Sequence, residues 1–368
     1  MTHRERVLKA LNFEKPDRVP LDIWVRPELW RDLKTHCGID DDEEMREFLG
    51  LDWRGCGCRV DVIPSFKERL EEQGKEGAGV IYHEDGSQEN MWGMVERPGA
   101  GGMYMEWVSG PFKDEPDLSR FDFPDFSIIE PVESIRDRVD SLHEKGFPAA
   151  GGASLPFKRC WQQRGLENFM MDMYVNQEFA EALLDWWYEF ETERGRRISE
   201  AGADIITVVG DIGMQDRLLL NPDKWRELCK PRMEKMFRTW KEQRPDNPPF
   251  AFYHSDGDVS EIIPDLIEIG LDILNPIQPE CMDVEEIGRR YRGKLRFHGA
   301  ISIQETLPNG TEEEVRAEVR HRIDHLGPEG GYILCPANVT QTDTPVENLL
   351  AMYDEAKKYS AQPGKHSD

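Results

Sequence analysis

From about residue 146 the chain alternates two patterns. Short apolar runs bounded by turn residues give way to longer segments in which apolar positions recur every three or four residues. Asp204-Ile-Ile-Thr-Val-Val-Gly, Pro248-Pro-Phe-Ala-Phe-Tyr-His, Leu271-Asp-Ile-Leu-Asn-Pro, Lys294-Leu-Arg-Phe-His-Gly and Gly331-Tyr-Ile-Leu-Cys-Pro read as buried strands, and Phe147-Pro-Ala-Ala-Gly-Gly as a strand and turn before them. Helical spacing is expected over 168–201, from about Pro222, through Ile263 and Ile267, over 284–290, after Thr311 and over 346–359. Thr311-Glu-Glu-Glu has the spacing of a capping box. Buried strands alternating with amphipathic helices predict βα units on a parallel sheet. No Gly-x-Gly-x-x-Gly follows a strand, so an α/β (β/α)8 TIM barrel is expected over an open nucleotide-binding sheet.

The first 75 residues predict an N-terminal helical extension that ends in the first strand. Thr2 caps a helix with Val7, Leu8 and Leu11 on one face, and Arg18-Val-Pro-Leu-Asp-Ile-Trp reads as a strand. The acidic stretch 40–44 is a solvated helix start. Residues 76–128, with turn signals such as Pro98-Gly-Ala-Gly-Gly, read as an inserted β-like excursion, and 121–125 as a loop. The whole of 1–368 is expected to form one barrel domain.

Composition narrows the function. The chain carries 72 acidic and 46 basic side chains, a net charge of −26. Such a surface repels phosphate backbones and anionic lipid, which argues against nucleic-acid and membrane partners. No apolar run is long enough to span a bilayer and the start has no signal-like stretch, so a cytoplasmic location is expected. The seven cysteines are scattered without a Cys-x-x-Cys pair, which suggests neither a disulfide framework nor a zinc ribbon.

In such a barrel the active site lies at the C-terminal strand ends. Those ends carry Ser154 and then Trp161, Asp211 and Gln215, Tyr253, His254 and Asp256, Asn275 and Gln278, His298, and Cys335 and Asn338. His254 and Asp256, two residues apart in extended chain, can share a cation. Equally, His254 can donate to a backbone carbonyl while Asp256 caps the next helix. His298 has three open roles: ligand, acid–base group or packed polar residue. Cys335 reads as a small core residue or as a ligand. Cys56-Gly-Cys58 has no partner ligands nearby.

Several of these segments resemble the uroporphyrinogen decarboxylase superfamily, which includes cobalamin-linked methyltransferases. The resemblance rests on Arg4-Glu-Arg-Val-Leu-Lys-Ala-Leu-Asn-Phe-Glu-Lys-Pro-Asp-Arg-Val-Pro, Gly152-Ala-Ser-Leu-Pro-Phe with Gly165-Leu-Glu-Asn-Phe, Gly210-Asp-Ile-Gly-Met-Gln, His254-Ser-Asp-Gly, Asn275-Pro-Ile-Gln-Pro and Gly330-Gly-Tyr-Ile-Leu. It implies a (β/α)8 barrel with an N-terminal extension. The arginine-rich stretch that holds the tetrapyrrole in the decarboxylases is replaced by Trp24-Val-Arg-Pro-Glu-Leu-Trp, which leaves only Arg26 as a carboxylate clamp. The His-x-Cys…Cys zinc site of the thiol methyltransferases aligns with His254, Asp256 and Asn338, with Cys335 three residues away. Oxygen in place of thiolate makes a harder site, better suited to an ether oxygen than to a thiol.

The resemblance therefore implies a demethylating methyltransferase. A methyl group would pass from a small methoxylated or methylamine-type donor to the corrinoid of a separate carrier protein. His254, Asp256 and Cys335 are the candidate zinc ligands, and His254, His298 and Asp211 the candidate catalytic residues. Arg26, Trp161, Gln215, Tyr253, Asn275, Gln278 and Asn338 are the candidate substrate-binding residues. A homodimer is compatible with this reading. The alternatives are a cofactor-free decarboxylase or lyase using Arg26, and a non-catalytic binding barrel.

Overall fold

The computed structural model describes residues 1–73, 79–99 and 105–360; part of the turn expected at Pro98-Gly-Ala-Gly-Gly lies outside the described residues. Eleven strands are present among them. The main sheet contains β1 (Arg54–Gly55), β6 (Ala149–Ser154), β7 (Ile205–Val209), β8 (Phe250–His254), β9 (Ile273–Asn275), β10 (Arg296–Ile301) and β11 (Tyr332–Pro336), all parallel and in that spatial order. The remaining strands, β2 (Val80–Tyr82), β3 (Gln88–Asn90), β4 (Val95–Pro98) and β5 (Met105–Ser109), form a separate antiparallel sheet. The parallel sheet is curled, with helices on its convex side. The expected strand at 18–24 is reduced to isolated bridges, Leu21 to Leu334 and Val25 to Thr340. That segment nevertheless bonds to both edges: Asp22 N–H donates to Leu334 O at 3.0 Å, and Asp52 N–H donates to Leu21 O at 2.8 Å.

Side-chain alternation sorts the residues into two layers. Ile206, Val208, Tyr253, Leu274, Phe297 and Leu334 pack between sheet and helices in the large core. Ala150, Ile205, Phe252, Ile273 and Ile333 face the concave side, together with Val7 and Leu11 of the first helix, His3–Leu11. That helix starts in a capping box on Thr2 and closes the N-terminal end of the strands. Thr311 makes the second capping box, at Glu312–Leu326.

Three helical expectations change. The pattern over 168–201 is two helices, Leu166–Val175 and Gln177–Glu200, broken at Asn176. A further helix, Pro156–Arg164, precedes them. The helix Val132–Glu144 is unexpected as well; it buries only Ile135 and Val139 and so leaves a weak apolar signal. The antiparallel sheet docks through Trp92, whose ring lies 4.8 Å from that of Trp187, and through Trp107, which donates to Gln162 O at 2.7 Å. It thereby braces the helix Pro156–Arg164 over the sheet. No helix among the described residues is long and apolar enough to cross a membrane.

Candidate active site

At the C-terminal end of β8, His254 is buried. Its Nδ1 lies 2.5 Å from Asn275 Oδ1, at the end of β9. Asn275 Nδ2 in turn meets His298 Nδ1 at 2.7 Å and the His298 carbonyl at 3.0 Å. The carbonyl can only accept, so it fixes which end of the Asn275 amide faces His298. Asn275 Oδ1 must then accept from His254 Nδ1–H. In the neutral ring, Nε2 of His254 carries the lone pair. By the same logic His298 Nδ1 accepts, and its Nε2–H donates to Asp22 Oδ2 at 3.1 Å.

The Nε2 lone pair faces two carboxylates. Asp211 Oδ1 lies at 3.5 Å and Asp256 Oδ1 at 3.7 Å. Asp211 is anchored by Lys158 Nζ at 3.0 Å. Burial raises the Asp211 pKa, but Lys158, with His254 when its ring is protonated, more than offsets it, and the carboxyl is held below its ordinary value. Asp256 goes the other way. Burial, with the Asp211 charge added, outweighs His254, Lys158 and Asn338 and pushes it up to about 6. Asn338 Nδ2 donates to Asp256 Oδ2, while Asp256 Oδ1 is shielded from solvent without a hydrogen-bond partner.

This arrangement fits a divalent cation. Asp211, His254 and Asp256 offer one ligand atom each, all within 4.8 Å of one another, and the unpartnered Oδ1 lacks the charge partner that an ion would provide. A second group, Asp22, His298 and Cys335, is equally compact but fits poorly. Both ring nitrogens of His298 are already engaged. Burial also drives the Cys335 thiol well above its ordinary pKa, away from the thiolate that binds metal.

Residues 107–359 match the family described as uroporphyrinogen decarboxylase (URO-D). The chain belongs to the uroporphyrinogen decarboxylase family. It is an enzyme of that superfamily by descent. No curated protein sequence matches it. Among solved structures it is similar to a methyltransferase from Methanosarcina mazei, with 20% identity, a TM-score of 0.66 and 98% and 99% of the two chains covered. It also matches a B12-independent methionine synthase from a Shewanella species, at 13% identity and a TM-score of 0.45 over 94% and 96% of the chains. The first of these likenesses describes the fold.

Within this URO-D family enzyme the sequence-predicted residues fall into three places. His254, Asp256, Asp211, Asn275, Asn338 and His298 are joined by the contacts above. Arg26, Gln215, Gln278 and Asn338 line a cavity of about 720 Å³ that also reaches Asp256. Gln278 Oε1 accepts from Gly257 N–H at 3.1 Å and so holds the loop behind Asp256. Tyr253 and Trp161 stand apart: Tyr253 is packed in the layer between sheet and helices, and Trp161 is half-buried against the same core. Cys335 sits with Asp22 and His298, away from the proposed partners His254 and Asp256. Asp256 caps no helix; it is Asp258 that bonds ahead, its Oδ1 accepting from Ser260 N–H at 2.8 Å at the start of the short 3-10 turn Ser260–Ile262.

Sequence reasoning missed Asp22, Trp24, Trp53 and Lys158. Trp24 lies 4.9 Å from the His254 ring and Trp53 5.4 Å from the His298 ring, so both cover the two histidines. Asp22 and Trp24 alternate along the 18–24 run, and that spacing was the available signal for placing them on one face.

Proposed function

We propose that this chain is a corrinoid-protein-dependent methyltransferase that takes a methyl group from a small methoxylated or methylamine-type donor. We also read the 20–25 segment as completing the curled sheet into a (β/α)8 barrel, because it bonds to both sheet edges. The observation that carries the functional reading is the buried His254, held so that its Nε2 lone pair faces Asp211 and Asp256.

Asp211, His254 and Asp256 would hold a divalent cation such as zinc. When bound, that cation supplies a Lewis acid for the departing oxygen or nitrogen, and a reduced corrinoid on the carrier accepts the methyl group. The chain's own residues do the rest. Asn275 and His298 hold the His254 tautomer, and Lys158 orients Asp211. Asn338 and Gln278 fix the Asp256 loop. Trp24 and Trp53 exclude water from the histidines. The departing heteroatom keeps the bonding electron pair and takes a proton from solvent.

The test supplies isotope-labelled methoxyaromatics and methylamines with a reduced corrinoid protein and follows label on the carrier, alongside elemental analysis of the enzyme. Stoichiometric zinc and transfer from one donor class support the reading; no transfer across the panel sinks it. A cofactor-free decarboxylase or lyase is the second reading, favoured by Arg26 sharing a cavity with Asp256. Carbon dioxide release without corrinoid, lost in Arg26→Ala, would select it.

A further inference from the structure

The concave face of the sheet is not filled evenly. Along β7, Ile205, Ile206 and Val208 are buried, whereas Thr207 is half-exposed and Val209 is exposed. Along β6, Gly151 and Ala153 are buried while Gly152 and Ser154 are not. Gly55 of β1 is exposed between the buried Arg54 and Cys56. The accessible positions share the parity of Ala150 and Ile205, which face the concave side. Solvent therefore runs down that side along β1, β6 and β7, over a wall of small residues. Large rings crowd the rest of this face: Trp53, two residues before Gly55, lies 5.8 Å from Phe252, and Phe252 5.2 Å from His298. A groove lined by small residues and bordered by rings fits a flat, apolar molecule.

A cation stands at the rim of this groove. Arg159 Nη2 donates to Ser154 Oγ at 2.9 Å. Its Nε is shielded from solvent and has no hydrogen-bond partner. Among the described residues no carboxylate comes within the 4 Å of an ion pair: neighbouring Glu191 pairs with Arg194 at 3.5 Å, and Asp211 with Lys158. The guanidinium lies over the Trp187 ring at 5.9 Å. A shielded guanidinium whose acidic neighbours, Glu191 and Glu96, stand beyond ion-pair reach is costly unless a ligand supplies a closer anion. The register places Ser154 beside Val209 and Val209 beside His254, so Ser154 is two strands from His254, about 10 Å at the usual spacing. One substituted aromatic ring bridges such a gap.

We propose that Arg159 and Ser154 form a carboxylate-binding subsite and that the methyl donor is an aromatic carboxylate. The ring lies along the small-residue wall beside Trp53, and its far substituent points toward His254. This rests on the methyl-transfer reading for the identity of that substituent, but not for the binding itself. Titration calorimetry on the full-length protein, without corrinoid, compares 4-methoxybenzoate with its neutral analogue 4-methoxytoluene. The benzoate is expected to bind about tenfold tighter or more. Arg159→Met should remove that preference while leaving binding of the neutral analogue unchanged. Arg159→Lys should retain part of it, and Ser154→Ala should weaken it several-fold. Melting curves confirm that each variant is folded; should Arg159→Met fail to fold, Arg159→Lys and Ser154→Ala carry the test. Equal binding of the two compounds, or an undiminished preference in the folded variants, overturns the subsite. A preserved preference for the carboxylate with no methyl transfer to any carrier leaves the subsite standing and removes the methyltransferase reading instead.

Discussion

The two ends of the strands use the same residue types to opposite ends. At the N-terminal end, Asp52 is fully buried and accepts from His3, Arg6, Arg18 and the Leu21 N–H. Asp204 accepts from Arg4, His143 and the Ala149 N–H. Burial raises the pKa of both, but their partners more than offset it, and both carboxyls sit below their ordinary value. At the C-terminal end, Asp256 is also surrounded by His, Lys and Asn, yet one of its oxygens is left without a partner and its pKa is lifted to about 6. Buried carboxylates with histidines are therefore no mark of a site by themselves. Incomplete satisfaction separates the end that can bind something from the end that only holds the chain together.

That contrast can be broken most forcefully at Asp52. Asp52→Ala leaves Arg6 and Arg18 without their shared buried partner and should cost about 3–5 kcal/mol of stability, read by urea unfolding, with activity per folded molecule retained. Activity falling out of proportion to folding would mean that the two ends are coupled. His254→Ala should do the reverse. Methyl transfer should fall by about 10²–10⁴-fold while stability falls by only about 1–3 kcal/mol, the cost of leaving the buried Asn275 amide without its partner.

A sharper test uses Asp256→Asn in the metal-free protein. The folded pKa of Asp256 lies above its unfolded value, so the charged carboxylate costs stability at neutral pH, and that cost vanishes as pH falls below both values. The variant should therefore be more stable than the parent by about 1–3 kcal/mol near neutral pH and equal to it at about pH 3. Asp52 and Asp204 carry the opposite sign: their stabilisation holds above the unfolded pKa and is lost only as pH falls through their lowered folded values. A variant destabilised at neutral pH would show that Asp256 is satisfied after all.

Asn275→Leu removes the link that orients both histidines and should weaken zinc binding, measured with a competing chelator, by about 10–100-fold. Unchanged affinity would mean that Asn275 does not set the His254 tautomer. The smallest effect is expected at Asp258, two residues from Asp256. Asp258→Ala loses a single turn bond to Ser260 N–H and should cost about 1 kcal/mol with no change in metal affinity or turnover.

Much of this was legible locally. The capping boxes at Thr2 and Thr311, the buried strand before His254 and the polar strand ends all follow from short-range pattern, because each depends on residues a few positions apart. Tyr253 shows where that reading was too coarse. A strand points neighbours to opposite faces, so the residue before His254 had to face the helices. Trp161 and the helix Pro156–Arg164 were blurred for another reason: Pro156 at the helix start reads equally as a turn signal.

By itself the sequence determined the alternation of strands and helices, the family, and the end of the sheet that carries the candidate site, since periodicity and motif are properties of neighbours along the chain. Only the tertiary structure decided which polar groups are satisfied. Asp22 and His298 are 276 residues apart and meet because the N-terminal segment lies against β11. The same packing surrounds Asp52 with every donor it can use, leaves Asp256 Oδ1 without a donor and leaves Arg159 Nε without an acceptor. Hydrogen-bond satisfaction is a property of three-dimensional neighbourhood, and composition and spacing do not encode it.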